Sequence, residues 1–138
     1  MLTEEQRKAA ERLTRCIERE RLVSVMNDTK WRRLFEALQP IQGVLEFRRK
    51  EVGQDESQLG SWCDDIYYML AGWRHIEWLD ISARRSFQRG VLLAPEINDQ
   101  TSLLLQTVRD AGVPFSRQEH GVRIWGYLRP GATPNWDQ

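Results

Sequence analysis

His75-Ile76-Glu77-Trp78-Leu79-Asp80-Ile81 is the stretch that decides the fold. It is rich in β-branched and aromatic residues, and both of its alternating sets carry large apolar groups: Ile76 with Trp78 on one side, Leu79 with Ile81 on the other. A strand with one wet face alternates apolar and polar residues, so this pattern predicts a central strand covered on both faces.

Upstream, Ala71 to Arg74 supplies a turn, and Ile66 to Leu70 reads as a further strand, with a short helix over Asp64 to Ala71 as the competing reading. Gly53 to Gly60 is a polar loop. Before it, Leu45 and Phe47 alternate with Glu46 and Arg48, which predicts a half-buried strand from Val44 to Val52. The first forty residues are helical in pattern. Thr3-Glu4-Glu5-Gln6 fits a capping box, and Ala9, Leu13, Cys16 and Ile17 make a thin apolar stripe, so a surface helix with one buried edge is expected. Asn27-Asp28-Thr29 offers a cap for a second helix ending near Leu38, with Trp31, Leu34, Phe35 and Leu38 on one face and Pro40 and Gly43 beyond its end.

Downstream, Asn98-Asp99 caps a predicted helix to about Ala111, its buried face drawn from Leu103, Leu104, Thr107 and Val108, and Gly112 and Pro114 stop it. Phe115 to Glu119, a turn at His120-Gly121, and Val122 to Arg129 read as a hairpin in which Val122, Ile124, Gly126 and Leu128 oppose Arg123, Trp125, Tyr127 and Arg129. The class is therefore α+β: an N-terminal helical pair packed on an antiparallel or mixed sheet, with one further helix before a C-terminal hairpin. One domain over residues 1–138 is expected, divided into a first helix (1–23), a core (24–129) and a tail of turn formers (130–138).

Composition narrows the function. The 138 residues are 41% apolar and 29% charged, with 20 basic and 20 acidic side chains, and this balance argues against a protein built to neutralise many phosphates; nucleic acid is not the expected partner. No apolar run approaches the ~20 residues that cross a bilayer, and Thr3 to Arg21 does not resemble a secretory leader, so a cytoplasmic protein with no membrane partner is expected. Two cysteines, Cys16 and Cys63, then read as reduced thiols. The charge is uneven: residues 51–100 carry 4 basic and 9 acidic side chains, against 12 and 8 in residues 1–50. An acidic face would attract a basic partner.

The search for chemistry returns few candidates. No phosphate-cradling glycine loop is present, and two cysteines with two distant histidines do not make a zinc set, so no cofactor and no metal are expected. Asp64 and Asp65 follow Cys63 and oppose its ionisation, which removes it as a nucleophile. Asp64, Asp65, His75, Glu77 and Asp80 form the most enzyme-like cluster and keep a metal-dependent hydrolase or nuclease open as an alternative, although Trp78 and Leu79 follow Glu77 where such nucleases carry a lysine. His120, beside Gly121 in a turn, is read as a surface residue.

Six tryptophans are the unusual feature. Trp31 and Trp78 are expected in the core, whereas Trp125 shares its strand face with Arg123, Tyr127 and Arg129, a mixture enriched at binding hot spots. Met26-Asn27-Asp28-Thr29-Lys30-Trp31, Ile76 to Ile81, and Ile124-Trp125-Gly126-Tyr127 together resemble an uncharacterised family of small bacterial proteins, a domain of unknown function, over about residues 24 to 129. The size, layout and tryptophan-rich strands more loosely resemble the immunity proteins that accompany bacterial toxins. The reading is thus a non-catalytic, cytoplasmic binding protein, an immunity factor that occludes a cognate toxin. Glu77 and Asp80 are the expected charge partners for a basic toxin surface, and Trp73, Arg123, Trp125 and Tyr127 complete the contact. A homodimeric adaptor paired through the first helix is the other alternative.

Overall fold

In the computed structural model, which describes residues 1–87 and 90–136, Thr3 closes the first helix as its sequence requires: its hydroxyl accepts from the Gln6 amide at 3.1 Å and the Gln6 side chain returns to the Thr3 amide at 2.9 Å. Helix α1 runs Glu4–Glu20 and buries no residue, so its apolar stripe is only half covered. After strand β1 (Val23–Ser24), Asn27 caps α2 (Asp28–Leu38), and the chain continues as a 3₁₀ turn over Gln39–Val44 into β2 (Glu46–Glu51). Pro40 lacks the N–H that an α-helix needs and is accommodated at the start of the tighter turn.

Ile66–Leu70 is a helix, α3, so the strand expected there is not formed. The Asp65 carboxylate accepts from the amides of Tyr67 and Tyr68, and Ile66, Met69 and Leu70 fall on one helical face while Tyr67 and Tyr68 stay exposed. A cap and an i, i+3, i+4 pattern outweigh β propensity over five residues. The decisive stretch is β3 (Ile76–Ser82), followed by β4 (Arg84–Phe87), β5 (Glu96–Asp99), α4 (Thr101–Ala111), β6 (Phe115–Arg117), β7 (Gly121–Trp125) and β8 (Tyr127–Leu128).

The main sheet has the order β2-β3-β7-β6, antiparallel throughout, and β3 is internal. Leu34 and Leu38 of α2, with Leu104 and Val108 of α4, pack against Phe47, Leu79, Ile81, Val122 and Ile124 of the sheet. Each such side chain stabilises by roughly 1.5–3 kcal/mol relative to exposure. In α4 the buried set is Leu104, Leu105, Val108 and Ala111; Leu103 is exposed, so the face is rotated from the expected one. Its cap differs too: Gln100 holds the N-cap position without a side-chain bond, while Asp99 accepts from the Thr101 amide at 3.0 Å and hydroxyl at 2.6 Å.

Between β2 and β3 the register slips: Lys50 pairs with Trp78 but Glu51 pairs with Ile76, so Glu77 is an extra residue in β3. The bulge breaks the simple alternation. Ile76 joins Leu79 and Ile81 in the core beneath the helices, and Glu77, Trp78 and Asp80 fall on the outer face, instead of Ile76 and Trp78 sharing a side. Two glycines let β7 approach this strand. A Cβ on Gly121 would lie 1.8 Å from the Ile81 carbonyl oxygen, and one on Gly126 would lie 2.1 Å from that of Ile76. Gly126 also donates to the Glu77 carbonyl at 2.8 Å and accepts from Val25 at 3.0 Å, which ends β7; Tyr127–Leu128 then pairs with β1 rather than extending the hairpin.

Strands β4 and β5 form a separate two-stranded arm; the sequence assigned no element over residues 82–97, and Asn98 and Asp99, expected only as a helix cap, end β5. Among the described residues no helix is long and apolar enough to cross a membrane.

Candidate functional site

The outer face of the sheet is built from residues that cross-strand pairing aligns. Arg48, Asp80, Arg123 and Ser116 lie in one row across β2, β3, β7 and β6, and Lys50, Trp78 and Trp125 lie in the next. Arg123 grips Asp80 through both ends, Nε to Oδ1 at 2.7 Å and Nη2 to Oδ2 at 3.0 Å, while its guanidinium lies 3.8 Å over Trp78 and 5.6 Å from Trp125. The Trp125 indole donates to Ser116 at 3.0 Å, and Arg48 lies 5.0 Å over Trp62 with its Nη2 3.8 Å from Asp80.

Glu77 anchors the other end of the face. Its Oε1 accepts from Lys50 and from Arg129 Nη2, both at 2.8 Å, its Oε2 accepts from Arg129 Nε at 3.0 Å, and Arg129 Nη1 also reaches Glu20 of α1 at 3.0 Å. These carboxylate hydrogen bonds hold the Arg129 guanidinium above its usual range against the opposing effect of burial.

Burial separates the carboxylates, with Lys50 beside Glu77, from the three guanidinium groups. The side chains of Glu77 and Asp80 are 4% and 7% exposed, whereas those of Arg123, Arg48 and Arg129 are 22%, 33% and 40% exposed. The carboxylates lie underneath and the guanidinium groups lie above them, so the face shows cations and indoles to solvent. Glu77 and Asp80 therefore lie on one face with Arg123 and Trp125, and their oxygens are occupied by internal cations.

Trp73 and Tyr127 occupy a second cluster, before the start of β3. Asp28 of α2 accepts from the Trp73 indole at 3.0 Å and from Arg74 at 3.2 and 2.6 Å, and the Tyr127 hydroxyl donates to the Arg74 carbonyl at 2.7 Å. Hydrogen bonds from Arg74 and then Trp73 lower the Asp28 carboxyl to about 2, and burial raises the Tyr127 hydroxyl. A cavity of about 300 Å³ opens here, lined by Asn27, Asp28, Trp31, Gly126 and Tyr127 among others. Two of the three quoted motifs meet in its wall, and the third adjoins it through the Gly126–Glu77 hydrogen bond.

The enzyme-like cluster is not assembled. Asp64 is exposed with Arg85 at 3.8 Å, Asp65 caps α3, and Glu77 and Asp80 hold the cations just described. No group of three His, Cys, Asp or Glu residues that could hold a metal ion occurs among the described residues. Cys16 and Cys63 are free thiols, and His120 is half-buried near Arg84 and Glu119.

The sequence reading missed Arg48, Lys50, Trp62 and Arg74 as members of these clusters, placed Arg129 on the Trp125 face without its link to Glu77, and took Asp28 only as a cap. The alternation of Phe47 with Arg48 carried the signal for Arg48; nothing local marks Trp62, which the loop before α3 delivers.

An α+β protein with helices on one sheet face and a layer of paired arginines and indoles on the other is the class that fold and site define. The chain belongs to a family of unknown function, DUF6678, whose model matches residues 13–131. The match begins within α1, earlier than the span marked by the three motifs. No curated protein and no solved structure matches the chain.

Proposed function

We propose that this chain is a non-catalytic binding protein that uses the outer sheet face as its contact surface, and that it is a cytoplasmic immunity protein occluding a cognate toxin. The observation that supports the contact surface is the layering of charge: Arg48, Arg123 and Arg129 are partly exposed above the buried Glu77 and Asp80, with Trp62 and Trp125 beside them. Bidentate pairing and stacking fix these guanidinium groups before any partner arrives, which reduces the ordering cost of association. Arginine and tryptophan are also the residues that most often dominate interface energetics. The polarity of the expected partner is reversed by this layering. A basic toxin surface would meet cations, so the matching surface is acidic. A hydrolase using Asp64, Asp65 and Glu77 is less well supported because those carboxylates point to separate tasks.

The reading is tested with a photo-crosslinking residue placed at Trp125 in the full chain, expressed in its native host. Crosslinking to one protein, lost on adding Arg123→Glu in a chain that circular dichroism shows to be still folded, and absent from the same probe at the exposed Tyr68, is the expected result. Equal labelling from both positions, or substrate turnover by the purified chain with saturable binding of magnesium or manganese in calorimetry, would overturn it.

A further inference from the structure

At one end of the outer face, where β2 and β3 meet the β6–β7 turn, a cavity of about 220 Å³ is lined by Arg48, Trp62, Asp80, Ser82, Gln118 and His120 among others. Its size excludes nucleotides and other ligands that need roughly 300–1,000 Å³. Its chemistry is set by Arg48. The Nε of this residue is buried with no hydrogen-bond partner, and its nearest anion is Asp80, 3.8 Å from Nη2. Asp80 is already held through both oxygens by Arg123. Arginine forks that close to the interior normally have their donors satisfied.

The other charged groups do not neutralise Arg48. Glu119 is 88% exposed and lies 3.5 Å from His120, and His120 Nε2 is 3.0 Å from Arg84 Nη1. The Trp62 ring lies 5.0 Å from the Arg48 guanidinium and makes an apolar wall for a short aliphatic stem.

We infer that this cavity receives one carboxylate, that of an aspartate or glutamate side chain on the acidic partner, held by Nη1 and Nη2 of Arg48, the end of the guanidinium that is not buried. The inference rests on the binding reading above and adds the chemical group that seats there. A planar carboxylate matches the guanidinium fork, and a side-chain-sized ligand matches the volume.

The test needs no partner. The full chain is titrated with capped glutamate (N-acetyl-glutamate amide), and in a second arm with inorganic phosphate, while the Trp62 indole and Arg48 Nε–H resonances are followed. Capped glutamate should give saturable shifts at both groups in the millimolar range, roughly the strength of one charge-assisted fork, and phosphate should not saturate. Arg48→Gln should weaken binding by about tenfold or more. Arg48→Lys, which keeps the charge and loses the fork, gives the same reading if the first variant does not fold. Absence of saturation, saturation by phosphate at equal concentration, or unchanged binding in a folded variant overturns the inference. The crosslink at Trp125 would survive such a failure, so the two readings are separable.

Discussion

The Arg123 guanidinium lies 3.8 Å over the Trp78 ring. This contact explains how β3 is buried on both faces although α2 and α4 cover only one. Trp78 is 2% exposed because an arginine, clamped to Asp80 two positions along the strand, covers it as a helix would. The aliphatic stem and flat face of Arg123 exclude water while its N–H edge satisfies the buried carboxylate.

Arg123→Ala should therefore cost about 2–4 kcal/mol, since it leaves the Asp80 carboxylate buried without its main partner and uncovers an indole. Arg123→Lys should cost less, about 1–2 kcal/mol, through loss of the fork. Urea denaturation measures both. Combining Arg123→Ala with Asp80→Asn should give less than the sum of the single effects, and strict additivity would show that the pair is not coupled.

Glu77 joins three elements: Lys50 of β2, Arg129 after β8 and, through Arg129, Glu20 of α1. Glu77→Gln should destabilise by about 2–4 kcal/mol, because the buried Lys50 loses its counter-charge while Arg129, partly exposed, keeps Glu20. Replacing Lys50 and Glu77 together by methionine and leucine should recover most of that loss. Chemical denaturation of the single and double variants decides it; a double variant as weak as Glu77→Gln would count against the account.

Gly126→Ala and Gly121→Ala should each destabilise by more than about 3 kcal/mol, because in both the new methyl meets a β3 carbonyl oxygen rather than a movable side chain. Gly43, whose Cβ would meet nothing within 4 Å, is the control; Gly43→Ala should change stability by less than about 1 kcal/mol. Thermal melts of the three variants are sufficient.

The parts of this structure legible in the sequence are those set by local patterns. The Thr3 capping box, the Asn27 cap, the Trp31-Leu34-Leu38 face and the outward Arg123-Trp125 pair all follow from spacing within a few residues. The bulge at Glu77 is different. It depends on how β2 pairs with β3, so no window around Glu77 reveals that Ile76 and Trp78 part company. The same holds for charge: counting acids over residues 51–100 suggested an acidic face, but the Glu77 and Asp80 counter-ions come from β2, β7 and the chain beyond β8. Composition records how many carboxylates a segment has, and pairing across the sheet decides which of them reach solvent.

Asp28 offers a test of the second cluster through pH. Its carboxyl is lowered from 3.8 to about 2, chiefly by the Arg74 hydrogen bond and next by the Trp73 indole. The folded state thus binds this proton less tightly than the unfolded chain does, so ionised Asp28 stabilises the fold fully above about pH 4 and loses its effect as pH falls toward 2. Asp55 and Asp99 are lowered as well, so the whole protein's acid sensitivity does not isolate Asp28. The difference between the parent chain and Asp28→Asn does. That gap in urea midpoint should be constant from pH 7 to about 5, narrow below 4 and vanish near 2, with the Asp28 carboxyl carbon titrating over the same window. A titration midpoint near 3.8 would show that Arg74 and Trp73 do not hold the carboxylate in solution, and the turn before β3 would then need another anchor.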